Sequence, residues 1–175
     1  MQIAIISDVH NNEINLDKVL RKCSEQKITT LICCGDLASK EVLDSLNDNF
    51  AGVIYYTFGN ADYTELRELE STEKYRNTNL FKNFGETKID GKLIAFVHFP
   101  REARKLAQTG KYAFVFHGHT HKPWVSSVET TADQGQIKCT MLNPGNVAGD
   151  IYPPTFAVWN TKDNSFKLLR IHDLK

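Results

Sequence analysis

Seven side chains of metal-ligand type stand at the ends of apolar segments spread along the chain. Each of five short apolar runs is followed within three residues by one of these aspartate, asparagine or histidine side chains. In chain order these residues are Asp8, His10, Asp36, Asn60, His98, His119 and His121. In an open α/β sheet the carboxyl ends of parallel strands meet along one edge, where such folds build their sites. Imidazole and carboxylate ligands together suit Mn, Fe or Zn far better than Ca or Mg.

Taken singly, most of these motifs have an ordinary structural interpretation. Gly-Asp and Gly-Asn pairs, such as those that contain Asp36 and Asn60, are common turn and cap formers. A lone histidine such as His98 is more often a core or loop residue than a ligand. Asp8 and His10 are two residues apart, and on an extended chain such side chains point the same way. They could therefore grip one cation, or serve only as a turn residue and a surface residue.

The segment from His117 to His121 is the sharpest local signal. His119 and His121 are again two residues apart, and Gly118 would let the backbone approach the site closely. His117 is expected to lie in the core or behind the ligands. The joint pattern carries the weight, because a pair of metals needs one bridging carboxylate, for which Asp36 is available, plus several neutral ligands. Two such metals about 3.5–4 Å apart can clamp a phosphate and generate hydroxide near neutral pH.

The elements that must position these residues can be read from the apolar periodicity. Predicted strands at 3–6, 31–34 and 53–58 alternate with predicted helices at 14–26, 40–47 and 63–69, which implies a parallel sheet. A hairpin of strands 87–89 and 92–97 that turns at Asp90-Gly91, a helix at 101–108 and a strand at 114–116 follow. Segments 124–129, 136–142, 155–159 and 166–171 are predicted as strands, with turns at 133–135 and 163–164. Segment 70–82 reads as a surface loop. The pattern predicts two packed sheets with helices outside.

Length, charge and cysteine usage narrow the class of protein. The chain has 175 residues, which favours a single domain over residues 1–175. Its formal net charge is zero, so bulk charge does not indicate a nucleic-acid partner. Four cysteines without a CxxC pair argue against a thiolate zinc site and suit a reducing cytoplasm. From the sequence we expect neither a cleavable leader segment nor a segment that spans a membrane.

Across nearly the whole chain the motifs resemble those of the calcineurin-like metallophosphoesterases, in particular the small bacterial and archaeal phosphodiesterase branch. The family pattern D-x-H, G-D, G-N, H and G-H-x-H is matched in order, and Asn143-Pro144-Gly145-Asn146 is similar to the family's Asn-Pro-Gly-Ser turn. The resemblance implies an α/β fold, a four-layer α/β/β/α sandwich of two mixed β-sheets flanked by helices. It also implies a phosphoesterase that hydrolyses phosphodiester bonds, with phosphomonoesters as a second class, in small substrates.

The same resemblance implies roles for particular residues. Two divalent metal ions would be bound, Mn first, with Fe, Zn or Ni as alternatives, and a bridging hydroxide would attack phosphorus. The implied ligands of one metal are Asp8, His10 and His121, those of the other are Asn60, His98 and His119, and Asp36 would bridge the two. The implied substrate contacts are Asn12, Asn60 and His98.

Three positions depart from the family pattern. Many relatives carry histidine after Gly-Asn, as the acid that protonates the leaving group, and small phosphodiesterase-like members often carry cysteine. Here the residue is Ala61, which cannot transfer a proton, and Asp62 is the candidate to replace it. Phe99 follows His98 where the family usually has glycine, so a bulky ring is expected beside the second metal. Asn11 also replaces a frequent glycine. None of these changes removes a ligand.

Two other functions are compatible with the same residues. The first is a non-catalytic protein-interaction scaffold on this fold, as in the similar retromer subunit; it would be free to lose ligands, whereas all seven positions match here. The second is a single structural metal, which is disfavoured because structural zinc sites are normally closed four-ligand sets rich in cysteine. Homo-oligomerisation stays open, with Phe99, Trp124 and Tyr152 as candidates for a partner surface.

Overall fold

Two mixed β-sheets form the centre of the chain in a computed structural model that describes residues 1–63, 66, 69, 75–132 and 135–174. The strands of this part of the chain are β1 Gln2–Ile6, β2 Thr30–Cys33, β3 Val53–Thr57, β4 Thr78–Phe81, β5 Phe84–Ile89, β6 Lys92–Val97, β7 Phe114–Phe116, β8 Trp124–Ala132, β9 Gly135–Asn143, β10 Thr155–Asn160 and β11 Ser165–Arg170. The helices are α1 Glu13–Glu25, α2 Lys40–Asn49 and α3 Pro100–Gln108, with a 3₁₀ turn at Ile171–Asp173.

The strand order places parallel strands at the middle of both sheets. The first sheet has the order β11-β10-β1-β2-β3-β4, in which β1 to β4 run parallel and β10 and β11 pair antiparallel. The second sheet has the order β5-β6-β7-β9-β8, with β6, β7 and β9 parallel and the outer strands antiparallel. The carboxyl ends of β1, β2 and β3 lie at one edge of the first sheet, and those of β6 and β7 at one edge of the second.

Three apolar clusters divide the molecule into four layers. Helices α1 and α2 cover the outer face of the first sheet through Leu16, Val19 and Leu43, among others. The two sheets pack face to face around Trp159, Phe96 and Phe116, with aromatic neighbours on both sides, and α3 covers the second sheet through Ala103 and Ala107. The predicted four-layer α/β/β/α sandwich is therefore confirmed.

Burial explains why the parallel strands read as continuous apolar runs. Every residue of β2 is buried, because a helix covers one of its faces and the second sheet the other. The adjacent Cys33 and Cys34 show the alternation, since the first packs with the helices and the second between the sheets. All four cysteines are free and buried.

The last residues of segment 70–82 form a strand, so the prediction of a surface loop is wrong for them. Thr78–Phe81 forms the edge strand β4, which pairs in parallel with β3. Asn77 Nδ2 donates to the carbonyls of Phe50 and Gly52 at 3.2 and 3.1 Å, and these bonds fix the residue that precedes the strand. A four-residue edge strand anchored by tertiary contacts leaves no periodicity to detect.

Two other predictions fall wholly or partly beyond the described residues. The predicted helix at 63–69 includes residues 64, 65, 67 and 68, and the predicted turn at 133–135 includes residues 133 and 134, all of which lie outside them. Strands β5, β8 and β9 are longer than predicted. In the described part of the chain, no helix has the length and apolar character needed to cross a membrane.

Candidate metal centre

Five loops that follow β1, β2, β3, β6 and β7 carry the seven candidate ligands, and backbone hydrogen bonds join these loops. The amides of Asp8 and Val9 donate to the carbonyls of Gly35 and Asp36 at 3.0 and 2.8 Å, which fixes the first loop on the second. In the other sheet the amide of Gly118 donates to the carbonyl of His98 at 3.0 Å. The ligands are therefore held by backbone ladders that continue beyond the strands.

The backbone of the ligand loops is not extended, so the side-chain alternation expected for Asp8 with His10 and for His119 with His121 was the wrong explanation for their convergence. Ten non-glycine residues of the described chain have a positive φ, and half of them are candidate ligands: Asp8, His10, Asp36, His119 and His121. Left-handed backbone is unfavourable for such residues and clusters at functional sites. The ligands converge because tight left-handed turns re-aim each side chain.

Two glycines allow the loops to approach one another. A Cβ atom on Gly118 would lie 1.8 Å from Ser7 Oγ and 2.6 Å from Asp8 Oδ2, and one on Gly59 would lie 2.1 Å from Asp36 Oδ1. No larger residue fits at either position without displacing a ligand. The close approach expected for Gly118 is confirmed.

Asp8, His10 and His121 make up what we call the first cluster. Asp8 Oδ1 lies 3.3 Å from His121 Nε2 and 3.8 Å from His10 Nε2, and the two imidazole Nε2 atoms are 3.3 Å apart. Asp8 Oδ1 and His121 Nδ1 are buried, and neither atom forms a hydrogen bond of regular geometry within the described residues. A buried carboxylate oxygen in this state suits a bound cation.

Asp36, Asn60, His98 and His119 make up the second cluster. His98 Nε2 is its centre, at 3.3 Å from Asp36 Oδ2, 3.1 Å from Asn60 Oδ1 and 3.2 Å from His119 Nδ1. His98 Nδ1 lies 2.9 Å from the carbonyl oxygen of Cys34, which can only accept. The neutral ring therefore carries its proton on Nδ1 and presents the Nε2 lone pair to the cluster, an orientation typical of metal-bound histidines.

Asp36 joins the two clusters. Its Oδ2 atom lies 3.7 Å from His10 Nε2 and 3.3 Å from His98 Nε2, while its Oδ1 atom accepts a 2.7 Å hydrogen bond from the amide of Ala61. One oxygen is thus fixed by the backbone and the other faces both sets of nitrogens.

Charge pairing sets the proton affinities of these groups. Burial alone would raise the pKa of Asp8, but His10 and His121 together hold it well below the usual value. The Asp8 carboxylate raises the pKa of His10 against the effect of burial. Burial would lower the pKa of His98, and Asp36 overcomes this and raises it. Burial and the neighbouring His98 lower the pKa of His119.

The residues present fit divalent metal ions. Two groups of side chains, Asp8 with His10 and His121 and Asp8 with Asp36 and His98, have ligand atoms all within 4.8 Å of one another. Two pairs of imidazole nitrogens face each other, His10 Nε2 with His121 Nε2 at 3.3 Å and His98 Nε2 with His119 Nδ1 at 3.2 Å. Two facing lone pairs do not stabilise each other, whereas a cation between them would bind both. Mixed nitrogen and oxygen donors of this kind suit Mn, Fe, Zn or Ni.

Asp62 and Asn12 make other contacts than those expected from the sequence. Asp62 is 3% exposed, and its two carboxylate oxygens accept from the amides of Asp36 and Ala38 at 3.0 Å each and of Gly59 at 2.5 Å. It thereby ties together the second and third ligand loops. Asn12 caps helix α1, accepting from the amide of Asn15 at 3.1 Å and donating to the carbonyl of Ala148 at 2.8 Å.

Two asparagines of the Asn-Pro-Gly-Asn turn support the last ligand loop, a role the sequence did not reveal. Asn143 Nδ2 donates to the carbonyl of Gly118 at 2.9 Å and to Thr120 Oγ1 at 3.0 Å. Asn146 Nδ2 donates to the carbonyls of His121 at 3.1 Å and Tyr152 at 3.2 Å. Both asparagines are buried. The Asn-Pro-Gly-Asn motif was the sequence signal that could have pointed to them.

Phe99 and His117 border the second cluster. The Phe99 ring lies 4.9 Å from the His98 ring and 4.8 Å from the His119 ring, as expected for a bulky residue at that position. His117 is buried behind the ligands, with Nδ1 3.2 Å from the carbonyl oxygen of Gly118, and burial lowers its pKa.

Comparison with known proteins gives one consistent result. The model of the calcineurin-like phosphoesterase superfamily domain matches residues 1–164. A phosphodiesterase of Methanocaldococcus jannaschii is 25% identical over 170 residues, which cover 95% of this chain and 97% of that protein.

Solved structures of similar fold include a phosphodiesterase and Vps29. A novel archaeal phosphodiesterase superposes with a TM-score of 0.80 at 23% identity, covering 97% of this chain and 99% of that one. Vps29 from Entamoeba histolytica, solved in complex with Zn²⁺, superposes with a TM-score of 0.63 at 22% identity, covering 97% and 98%. At these identities the superpositions establish the fold.

Proposed function

The chain belongs to the calcineurin-like phosphoesterase superfamily, and from that membership we propose that it is a metal-dependent phosphoesterase that prefers phosphodiesters to phosphomonoesters. The observation that carries the proposal is the position of Asp36 Oδ2 between His10 of the first cluster and His98 of the second. A carboxylate shared by two sets of neutral ligands is the donor arrangement that a metal pair requires. The similarity to a named phosphodiesterase over 95% of the chain supports the preference for diesters.

The two clusters would hold one divalent ion each. Asp8, His10 and His121 would bind the first, and Asn60, His98 and His119 the second, with Asp36 shared. Bound there, two divalent ions would supply Lewis acidity toward a phosphoryl group and a hydroxide-like nucleophile near neutral pH. We take Mn as the first candidate, with Fe, Zn or Ni as alternatives.

Several side chains are already in the protonation state that this role needs. Asp8 stays ionised because its pKa is held low, and His119 stays neutral at pH 7 because its pKa is lowered. Cys34 fixes the proton of His98 on the nitrogen that faces away from the cluster. Asp8 and His119 are therefore ready to bind a metal, whereas His10 and His98, whose pKa values are raised by Asp8 and Asp36, exchange a proton for the metal.

The described part of the chain has no obvious general acid to protonate the leaving group. Ala61 has no ionisable side chain, and Asp62 uses both oxygens to accept backbone amides. We assign Asp62 to the positioning of Asp36 and not to proton transfer. General acid catalysis contributes about 10²–10⁴-fold, so esters with good leaving groups should turn over much faster than alkyl esters.

The test compares bis(p-nitrophenyl) phosphate with p-nitrophenyl phosphate, using chelator-stripped protein to which Mn²⁺ is returned. We expect metal-dependent cleavage of the diester in excess of the monoester. His119→Ala should abolish this cleavage, whereas His172→Ala, at an exposed histidine of the 3₁₀ turn, should leave it unchanged.

A protein-interaction scaffold on the same fold is the competing function, since Vps29 shares the architecture. Two metals bound per chain without turnover of either ester would favour the scaffold and refute the enzyme. A monoester preference would refute the diester assignment while leaving a phosphoesterase. The four buried free cysteines support a reducing compartment, for which we propose the cytoplasm.

A further inference from the structure

A groove lined by aromatic side chains begins beside the loop of the last ligands. Its first cavity, of about 320 Å³, is lined by Thr120, Lys122, Trp124 and Tyr152. Thr120 lies between the candidate ligands His119 and His121, so the cavity borders the loop that carries these two ligands. Two further cavities of about 260 and 270 Å³ share walls with it, the first through Trp124 and the second through Lys122 and Tyr152. We call these three cavities together the aromatic groove.

The charges of the aromatic groove are of one sign. The charged side chains that line its three cavities are Lys122 and Arg170, in a chain whose net charge is zero. Two of its aromatic side chains are open to solvent, since Trp124 is 55% exposed and Tyr152 is 37% exposed. Cations beside exposed aromatic faces are the combination that binds nucleotides, because phosphates meet the cations and bases stack on the rings.

The wall nearest the metal centre is held rigidly. Asn146 Nδ2 bridges the carbonyls of His121 and Tyr152, so one side chain fixes both a candidate ligand and a wall of the groove. Thr120 Oγ1 accepts from Asn143 Nδ2 at 3.0 Å. A fixed wall loses little freedom when a flat ligand stacks on it.

We propose that the aromatic groove binds the nucleoside part of a nucleotidyl phosphodiester whose phosphorus lies at the metal centre. Trp124 and Tyr152 stack on the base, and Lys122 contacts a phosphate oxygen. This inference rests on the proposed function, because a diester at the metal centre keeps one of its two substituents on phosphorus while the other leaves. The aromatic groove is the adjoining space that receives the retained substituent. A purely apolar partner would gain nothing from Lys122 and Arg170.

The kinetic test compares two esters with the same leaving group, thymidine 5′-(p-nitrophenyl phosphate) and methyl p-nitrophenyl phosphate. The nucleotidyl ester should have the lower KM. Stacking of one base is worth roughly one to two orders of magnitude in affinity, so Trp124→Ala should raise its KM about 10-fold and leave kcat and the methyl ester unchanged. Phe84→Ala, at a 43% exposed aromatic residue outside the groove, is the matched control.

Lys122→Ala provides a second kinetic variant, with Lys162→Ala as its control at an exposed lysine in the turn between β10 and β11. We expect Lys122→Ala to raise the KM of the nucleotidyl ester and Lys162→Ala to have no effect. Equal changes in KM for both esters on removal of Trp124 would overturn the proposal.

A binding measurement separates the groove from catalysis. The two tryptophans differ sharply, since Trp159 is fully buried and Trp124 is exposed. Adenosine 5′-monophosphate added to the full chain with Mn²⁺ should quench the Trp124 emission, whereas inorganic phosphate, which has no ring, should not.

The outcomes are distinguishable. If the methyl ester is cleaved but the nucleoside neither lowers KM nor quenches emission, the groove proposal fails and the proposed function stands. If no ester is cleaved, the proposed function fails, and quenching alone decides the groove. If Trp124→Ala changes the sedimentation of the protein and no quenching is seen, the groove is an interface between copies of this chain and the proposal is overturned.

Discussion

The two clusters of the candidate metal centre contain similar residues but are held in different ways. In the second cluster His98 is 1% exposed and tied to the carbonyl of Cys34, and Asp36 is tied to the amide of Ala61. In the first cluster His10 is 24% exposed, and His121 Nδ1 and Asp8 Oδ1 make no regular hydrogen bond within the described residues. The second cluster is pre-organised around a buried pair, whereas the first has polar atoms still to be satisfied.

This difference shows that a dinuclear site need not be built evenly. A ligand whose remote nitrogen is fixed by a carbonyl keeps its orientation without a metal, and such outer contacts are worth 10–100-fold in affinity or activity. We therefore expect the second cluster to bind its metal first and the first cluster to order on binding.

Asp36→Asn is expected to have the largest effect, because it removes the charge of the carboxylate oxygen that faces His10 and His98. The amide keeps the size of the side chain and can still accept from Ala61. Activity should fall by at least about 100-fold, with loss of metal from both clusters, as measured by turnover and metal content per chain. Asp163→Asn, at an exposed aspartate near the start of β11, is the control. Full activity with two metals bound would show that Asp36 does not bridge.

Asp62→Asn is expected to have the next largest effect, through the second and third ligand loops. Replacing one acceptor oxygen by a donor sets an amide against the backbone amides of Asp36, Ala38 or Gly59. We expect a loss of about 10–100-fold in activity and a lower melting temperature, with the shape of the pH profile unchanged. A loss confined to esters with poor leaving groups, together with a changed pH profile, would instead identify Asp62 as the acid.

The pH dependence of stability should separate the metal-free from the loaded protein. The pKa values of His10 and His98 are raised in the metal-free fold, so their pairing with carboxylates stabilises it fully below the unfolded value of about 6.5. This contribution is lost as the pH rises through the raised values. Metal binding needs neutral imidazoles and shows the opposite trend. Activity should accordingly fall below about pH 6.

Melting temperatures with and without Mn²⁺ between pH 5 and 8 measure both trends. The increment from the metal should grow with pH, while the metal-free melting temperature declines. His98→Ala should weaken the metal-free decline, and His119→Ala, whose pKa is lowered, should retain it. A metal increment that does not change with pH would contradict the ligand assignment.

Phe99→Leu is expected to have the smallest effect, and only on the second cluster. The substitution removes the ring contacts with His98 and His119 but keeps an apolar side chain. Aromatic pairs contribute about 0.5–1.5 kcal/mol, so the affinity of the second metal should change by less than about 10-fold. Calorimetric titration with Zn²⁺ resolves the two sites, and Phe84→Leu is the control. An equal change at both sites would show that Phe99 acts on the fold as a whole.

The identity of the ligands could be predicted because polar residues that follow buried parallel strands must lie at the same edge of the sheet. The reason for their convergence could not, because left-handed backbone at Asp8 or His119 has no sequence signature comparable to glycine. The parallel strands and the helices between them could also be predicted, since burial of a strand on both faces gives a continuous apolar run. Strand β4 was not, because it is held by Asn77 and pairing with β3.

The contacts of Asp62 and the aromatic groove lay beyond sequence reasoning for a related reason. Three backbone amides from two loops surround Asp62, and the groove brings Trp124 of β8 beside Tyr152 and Leu168, which are distant in the chain. Such sites depend on tertiary contacts between residues that are distant in the sequence. Local propensity says nothing about them.

The left-handed ligand turns also bear on how this chain can drift over generations. A non-glycine residue in that conformation costs about 1–2 kcal/mol relative to glycine, and five candidate ligands adopt it. Selection for metal-dependent chemistry thus maintains backbone strain at each of them. Once that selection relaxes, exchange of any of these residues for glycine would relieve the strain at that position and remove a ligand in one step. Regaining the site would require strained residues to return at all five positions.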